Sequence, residues 1–188
     1  MNRRNIIRLP LFGVATLAAG CTAFTSPNST VPAQIVADVN GVVKFLSDGL
    51  PTIFALLPSG SLSATDQTQI LTSINTANAL VGGFVAGMPT SAAVSLAQKI
   101  EGYVNDTVNL VGPILNRIAT DNPNLSSKLA PWIAGFDSAA ALLPGIEAWI
   151  NGTFSVPVSP SVRSRYTPRV RMDASTARKQ LHIPTVGG

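Results

Sequence analysis

The stretch AQKIEGYVNDTVNLVGPILNRI, residues 97–118, decides the fold of this chain. Seven of its residues, here called the seam of the segment, recur at alternating steps of three and four positions. This is the spacing of a helix with one face toward a core. The seam residues are Ala97, Ile100, Val104, Thr107, Val111, Ile114 and Ile118. The same spacing recurs at residues 36–57, 70–88 and 129–150. Four such segments predict an all-α protein, an antiparallel four-helix bundle.

Short breaks with turn chemistry separate the four helical segments. They are PSGS at residues 58–61, GMP at 87–89 and DNPN at 121–124. Ser63, followed three residues later by Asp66, predicts a capped helix start after the first break. Prolines at positions 51, 113 and 144 fall inside helical segments. Because proline lacks the helix-forming N–H and its ring clashes with the preceding turn, the helices are expected to kink or split there.

Residues 1–20 have the layout of a cleaved signal peptide, with three arginines before the apolar stretch Leu9–Ala19. The sequence LAAGC at residues 17–21 resembles the lipobox of bacterial lipoproteins, with alanine at position 18 where leucine is usual. The resemblance implies cleavage between Gly20 and Cys21, followed by diacylation of Cys21 with palmitate-type chains. Cys21 is the only cysteine, so an internal disulfide is excluded. An ordinary cleaved signal with an accidental cysteine is the alternative.

The leader also resembles a twin-arginine export signal. The motif RRNIIR at residues 3–8 places Arg3 and Arg4 before two apolar residues and a further arginine. That resemblance implies export of the folded protein, whereas the general secretory route is the alternative. The lipoprotein resemblance implies a bacterial cell-envelope location, anchored and facing the periplasm. Thr22, rather than aspartate, follows Cys21, and the lipoprotein resemblance then implies the outer membrane.

Charge divides the mature chain into three parts. Residues 21–34 are rich in Ser, Thr and Pro and predict a flexible tether after the lipidated cysteine. Residues 35–151, the predicted bundle domain, lie within a region of eight acidic and four basic side chains (residues 22–151). Residues 152–188 carry six basic side chains, one acidic side chain and several prolines, and predict a disordered tail. The net charge of +4 therefore describes the two ends of the chain, and no nucleic-acid binding is expected.

The basic tail is the first candidate binding segment. Arginine can bind phosphates and carboxylates bidentately, so the tail is expected to contact anionic lipids or envelope polymers. Its cationic residues are Arg163, Arg165, Arg169, Arg171, Arg178 and Lys179. Two alternatives are a solubilising tail with no partner and a tail that packs on its own acidic bundle.

The sequence lacks the residues that most catalytic and metal sites need. His182 is the only histidine and lies in the tail, and no metal-binding or phosphate-binding motif occurs. We therefore expect no enzyme activity, no metal and no cofactor. Glu101 and Glu147 flank their helix seams and are expected to be solvated charges. An apolar pocket lined by Phe84, Trp132 and Phe136 is a candidate site, although core packing is the main expectation for these aromatic side chains.

These observations predict a non-enzymatic, lipid-anchored envelope protein. Its helical domain is a binding or structural module, and its basic tail contacts an anionic surface or partner. One alternative is an envelope carrier of an apolar ligand, such as a lipid or a quinone. Another is a phage- or prophage-encoded lipoprotein of lysis or superinfection exclusion. The sequence specifies no oligomeric state.

Overall fold

The protein is described here by a computed structural model that covers residues 30–153, Tyr166 and residues 168–186. Its helices are α1 (Ala33–Leu56), α2 (Ala64–Val81), α3 (Thr90–Asp121), α4 (Pro123–Thr153) and α5 (Ala174–Gln180). No strand is present in these described residues, where the only β-type pairing is an isolated bridge between Thr30 and Pro89. The prediction of an all-α protein is therefore confirmed.

The apolar seams predicted from the sequence form the core of a helical bundle. Helix α1 packs on α2 and α4, and α3 packs on the same two helices. The largest fully buried side chains come from all four helices and from the loop after α2. They are Phe84, Phe136, Leu46, Leu50, Ile53, Ile74, Ile100, Leu115, Leu129, Leu143, Val42 and Val43. The Ser63 hydroxyl accepts a hydrogen bond from the Asp66 backbone N–H at 3.0 Å, so the predicted cap of α2 is confirmed.

Among the residues that the structure describes, four prolines lie inside helices, and none of them ends its helix. Helix α1 continues through Pro51, α3 through Pro113, and α4 through both Pro131 and Pro144. The expectation that such prolines split the helices is wrong. Burial of the surrounding apolar face stabilises each helix on both sides of its proline, because packing supplies more of a helix's stability than the local backbone does. The predicted kinks stay a prediction.

Helix α4 contains the one stretch of the described chain that is long and apolar enough to cross a membrane by length and composition. This stretch, Pro123–Ile150, has a mean hydropathy of 1.3 in its most apolar window. Just over half of that window, 56%, is buried inside the bundle. A mostly buried core helix passes the same test, and the buried carboxylate of Asp137 lies within the stretch.

Both ends of the described chain are packed on the bundle, contrary to the sequence prediction. Val31, within the predicted tether, is buried and exchanges backbone hydrogen bonds with Gly87 and Met88. Residues 168–186, within the predicted disordered tail, include helix α5, which packs on α4. The tail prediction is wrong for these residues because buried partners on α1, α3 and α4 hold them. The alternative in which the tail packs on its own acidic bundle is confirmed for Arg178, which pairs with Asp38.

Candidate ligand-binding groove

A groove of about 850 Å³ lies between α1, the beginning of α4 and the residues that follow α5. Its apolar lining comes from Val36, Ala37, Phe45, Trp132, Leu181 and Ile183. Lys44 and Asp48 lie at its edge, where they form an exposed ion pair at 2.8 Å. A concave, mostly apolar surface with a few polar groups is the usual form of a small-molecule site.

One wall of the groove is the segment Gln180–Pro184, which a buried ion pair holds against α1. The Arg178 guanidinium donates two hydrogen bonds of 2.7 Å to the two carboxylate oxygens of Asp38. Asp38 is almost fully buried, and the Arg178 side chain is 22% exposed. The hydrogen bond with Asp38 raises the pKa of Arg178 above its usual value. A bidentate pair of this kind fixes both position and orientation.

Gln34 adds a further contact between α1 and the segment that forms the groove wall. Gln34 in the first turn of α1 donates a 2.8 Å hydrogen bond to Asp38 and accepts one of 2.8 Å from the Val186 backbone N–H. The end of the described chain therefore lies on the beginning of α1. Because Gln34 bonds to both partners, it links the ion pair to the last described residues.

Glycines on α1 and α4 make room for the large side chains of the groove. A Cβ at Gly41 would overlap with the Ile183 side chain, and a Cβ at Gly49 would lie 2.7 Å from the Trp132 ring. Gly135 on α4 similarly accommodates the ring of Phe45. Phe45 and Trp132 then pack together with ring centroids 6.1 Å apart. These three glycines let bulky apolar groups lie close to the helix backbones.

The chain turns from α5 into the groove wall through His182. Its φ of 56° is in the left-handed region, which only His182 among the described non-glycine residues occupies. The His182 N–H donates to the Lys179 carbonyl, and the Ile183 N–H donates to the Arg178 carbonyl. This is the hydrogen-bond pattern of a Schellman motif, a common way to end a helix. It directs Ile183 back toward α1, where its side chain is buried.

A second anchor, centred on Tyr166, holds the chain that precedes α5. The Tyr166 hydroxyl donates a 2.5 Å hydrogen bond to the buried carboxylate of Asp137. The same carboxylate accepts hydrogen bonds from the backbone N–H groups of Arg169 and Val170. Burial, followed by the interaction with Asp137, raises the pKa of Tyr166, so this hydroxyl keeps its proton and remains a donor. Gly112 leaves room for the tyrosine ring.

Away from the groove, Glu101 and Glu147 form a carboxyl pair between α3 and α4. Glu101 is 6% exposed and is hydrogen-bonded to Glu147. Burial, with the charge of Glu147 as the next cause, raises the pKa of Glu101 to about 7. Asn105 donates a 3.2 Å hydrogen bond to the Glu101 carboxylate. The expectation that both glutamates are solvated is wrong for Glu101, which is buried against Glu147 of α4, whereas Glu147 itself is half-buried.

The three aromatic residues of the predicted pocket do not lie together. Trp132 lines the groove, whereas Phe136 is fully buried in the core. Phe84 is buried against Trp149, with ring centroids 6.1 Å apart. The prediction of one pocket lined by all three is therefore wrong, since Phe84 lies in the loop after α2. The expectation of core packing is correct for Phe84 and Phe136.

The cationic residues of the predicted tail have separate environments. Arg178 pairs with Asp38, and the Arg169 guanidinium donates to the Asn116 carbonyl at 2.6 Å and to the Thr120 hydroxyl at 2.9 Å. Arg171 and Lys179 are exposed. Arg169 and Arg178 therefore have partners within the protein, and the expected contact with an anionic surface stays a prediction. Arg163 and Arg165 lie outside the described residues, as do Arg3, Arg4, Gly20 and Cys21.

Sequence reasoning missed most of the groove. Its wall lies in the segment that composition assigned to a disordered tail, so Leu181 and Ile183 had no predicted partner. One signal was present in α1, where Gly41, Phe45 and Gly49 follow each other at steps of four residues. This spacing puts two small residues and one aromatic residue on the same helix face. Within the described residues, no group of three metal-binding side chains occurs.

Comparison of the chain with protein-family models, with curated proteins and with solved structures finds no match. Function is therefore inferred from the geometry of the groove and from the sequence of the leader.

Proposed function

We propose that this protein is a non-enzymatic, lipid-anchored envelope protein whose helical domain binds an apolar ligand, either an acyl chain of a lipid or a quinone. The observation that carries the proposal is the apolar groove between α1, Trp132 and the segment after α5. The lipobox resemblance at residues 17–21 supports the envelope location. The domain itself is an antiparallel four-helix bundle, completed by α5.

The size of the groove fits one chain-like ligand. Its volume of about 850 Å³ lies within the range of roughly 300–1,000 Å³ that is typical of small-molecule sites. Lining residues extend from Ala33 to Gly49 along α1, or about 24 Å at the helical rise of ~1.5 Å per residue. One acyl chain crosses half of a bilayer core, which is about 15 Å. A single chain therefore fits lengthwise.

The internal contacts of the tail favour this function over an anionic-surface contact. Two of the arginines that would bind an anionic surface are hydrogen-bonded within the protein, and Arg178 in particular positions the groove wall. Among the described cationic residues of the tail, Arg169, Arg171 and Lys179 are exposed, and Arg169 is hydrogen-bonded to α3. Each basic residue near an anionic membrane surface contributes about 1 kcal/mol of attraction. Because fewer arginines are free to contact lipid, the tail would be attracted to such a surface more weakly.

Trp132 provides a direct test, because it lines the groove while Trp149 packs on Phe84 away from it. A chain beginning at Thr22 would be titrated with brominated palmitate, which quenches tryptophan fluorescence on contact. We expect saturable quenching that disappears in Trp132→Phe and persists in Trp149→Phe. Quenching of neither tryptophan, or of both equally, contradicts binding in the groove.

A groove-filling variant and its matched control sharpen the test. Ala37 lines the groove, whereas Ala79 lies on the exposed face of α2. Ala37→Phe should weaken palmitate binding at least tenfold by occupying the ligand's space, and Ala79→Phe should leave the affinity unchanged. Equal affinities in the two variants would argue against the assignment.

A further inference from the structure

One end of the groove lies where the chain enters the domain. Ala33, the first residue of α1, lines the groove. Just before it, Thr30 pairs with Pro89, and Val31 is buried against the loop between α2 and α3. The chain is therefore held against the bundle at Thr30, only three residues before Ala33 at the end of the groove.

Cys21, the predicted lipid-attachment residue, precedes Thr30 by only a few residues along the chain. Eight residues lie between Cys21 and Thr30. Whatever their conformation, the nine steps from Cys21 to Thr30 span at most about 32 Å, since an extended chain covers roughly 3.3–3.6 Å per residue. The backbone of Cys21, whose side chain carries the acyl group, is therefore always within about 32 Å of Thr30.

This short connection gives an acyl group on Cys21 a large advantage over free ligands. A group held by a short connection has an effective concentration in the millimolar range. Free lipid monomers in water reach far lower concentrations, because each CH₂ that leaves an apolar phase costs about 0.8 kcal/mol. An attached chain would therefore displace a dissolved chain of the same type from the groove.

We propose that the groove holds an acyl chain attached to Cys21 of the same molecule. This inference rests on the proposed function, since it names the ligand of that same groove. The chain enters beside Ala33 and lies along Val36, Ala37 and Phe45 against Trp132. The groove then shields part of the protein's own lipid from water. A lipid from another molecule can bind only after the attached acyl chain has left the groove.

Photocrosslinking in the full-length protein tests the inference. Lys44, an exposed residue at the groove edge, would be replaced by p-benzoylphenylalanine in a chain expressed in a bacterium with its own leader, and Ala79 would carry the same residue as control. After irradiation and digestion, we expect position 44 to link to the acylated Cys21 peptide in a product of monomer size. Position 79 should give no such product. Asp48, also at the groove edge, serves as a second probe position should the first variant fail to fold.

Three outcomes would overturn the inference. They are a link from position 44 to membrane phospholipid only, a dimer-sized product that contains the lipid of a neighbouring copy, and no lipid adduct from either probe position. The fluorescence titration separates these outcomes from failure of the proposed function. If the chain beginning at Thr22 binds brominated palmitate but the full-length protein gives any of the three, the groove binds acyl chains and the occupant is not its own. If the shorter chain does not bind, the proposed function itself fails.

Discussion

At the scale of single residues, three buried acidic side chains are accommodated in three different ways. Asp38 pairs with a guanidinium, Asp137 accepts hydrogen bonds from a tyrosine hydroxyl and two backbone N–H groups, and Glu101 lies against a second carboxyl. A buried charge is costly unless it is paired or hydrogen-bonded. The first two residues meet this requirement through these partners, whereas Glu101 meets it by retaining its proton.

Glu101 should therefore make stability fall as the pH rises. Its pKa is about 7 in the folded protein and 4.5 ordinarily, so between these values the folded state holds a proton that the unfolded chain has released. Stability is lost progressively over that interval, by up to about 3 kcal/mol, and levels off above it. Glu101→Gln should abolish this loss and stabilise the protein at pH 8 by about 2 kcal/mol, as measured by urea unfolding across the pH range.

The control for this prediction is Asp121→Asn, which removes the same formal charge from an exposed position at the end of α3. We expect the control to retain the wild-type slope between pH 5 and 7. A Glu101→Gln variant that also retained that slope would show that Glu101 ionises normally.

Two glycines of α3 should respond in opposite directions to the same substitution. A Cβ at Gly112 would overlap with the Tyr166 ring, whereas nothing lies within 4 Å of a Cβ at Gly102. Gly112→Ala should expel Tyr166 from Asp137 and destabilise the protein by about 2 kcal/mol. Gly102→Ala should stabilise it by up to about 1 kcal/mol, because alanine favours the helix. Thermal unfolding of both variants checks the pair, and equal shifts would contradict the packing of Tyr166 on α3.

At the scale of elements, the segment after residue 165 completes the bundle. Helix α5 is only seven residues long, too short to be stable alone. Asp173 caps its start by accepting a 2.9 Å hydrogen bond from the Thr176 N–H, which lowers the pKa of Asp173. Its position on the bundle depends on Arg178 at one end and on the Tyr166 anchor at the other. The segment should therefore behave as one cooperative unit that can open separately from α1–α4.

Breaking the Asp38–Arg178 pair should release this segment. Asp38→Asn leaves a largely buried guanidinium without its carboxylate, at a cost of about 3 kcal/mol. We expect hydrogen exchange to accelerate at residues 174–186 while the core of α3 stays protected. Asp48→Asn breaks the exposed pair with Lys44 and should cost less than about 1 kcal/mol. Uniform acceleration across all helices would mean that the segment does not open separately.

His182 should limit the stability of the same segment. A side chain in the left-handed region costs roughly 1–2 kcal/mol, and glycine is the residue that helix ends prefer there. His182→Gly should therefore slow exchange at residues 174–186 and raise stability by about 0.5 kcal/mol after its greater freedom in the unfolded chain is included. Lys179→Gly, which introduces the same flexibility at a helical position, should have the opposite effect.

The long helices were predictable because each carries an apolar seam over many turns. The seam from Ala97 to Ile118 repeats often enough to identify both the helix and its buried face. The tail was not predictable, because its order depends on single distant contacts. Arg178 and Asp38 are 140 residues apart, and Tyr166 depends on a cavity created by Gly112. No local pattern encodes such pairs, and composition alone pointed to disorder.

At the scale of the whole molecule, the tail is a structural part of the domain. A chain that ends at Arg165 would leave the carboxylates of Asp38 and Asp137 without most of their partners and would expose the apolar face that Ile183 covers. We expect its Tm to fall by at least about 5 °C and its groove to lose one wall. The same truncation should abolish quenching of Trp132 by brominated palmitate. Full stability after truncation would show that α1–α4 form the complete domain.

The meeting of Gln34 with Val186 has a consequence for how the protein is made. The residues that complete the surroundings of α1 follow α4 in the chain, so α1–α4 are synthesised before Arg178 can reach Asp38. Until then, α1–α4 must exist with two buried carboxylates that lack their final partners, a costly state. Folding of the domain would therefore finish at a step that joins Arg178 to Asp38, after α1–α4 have been made. Export of a folded protein would have to wait for that step, whereas export of an unfolded chain would postpone it to the far side of the membrane.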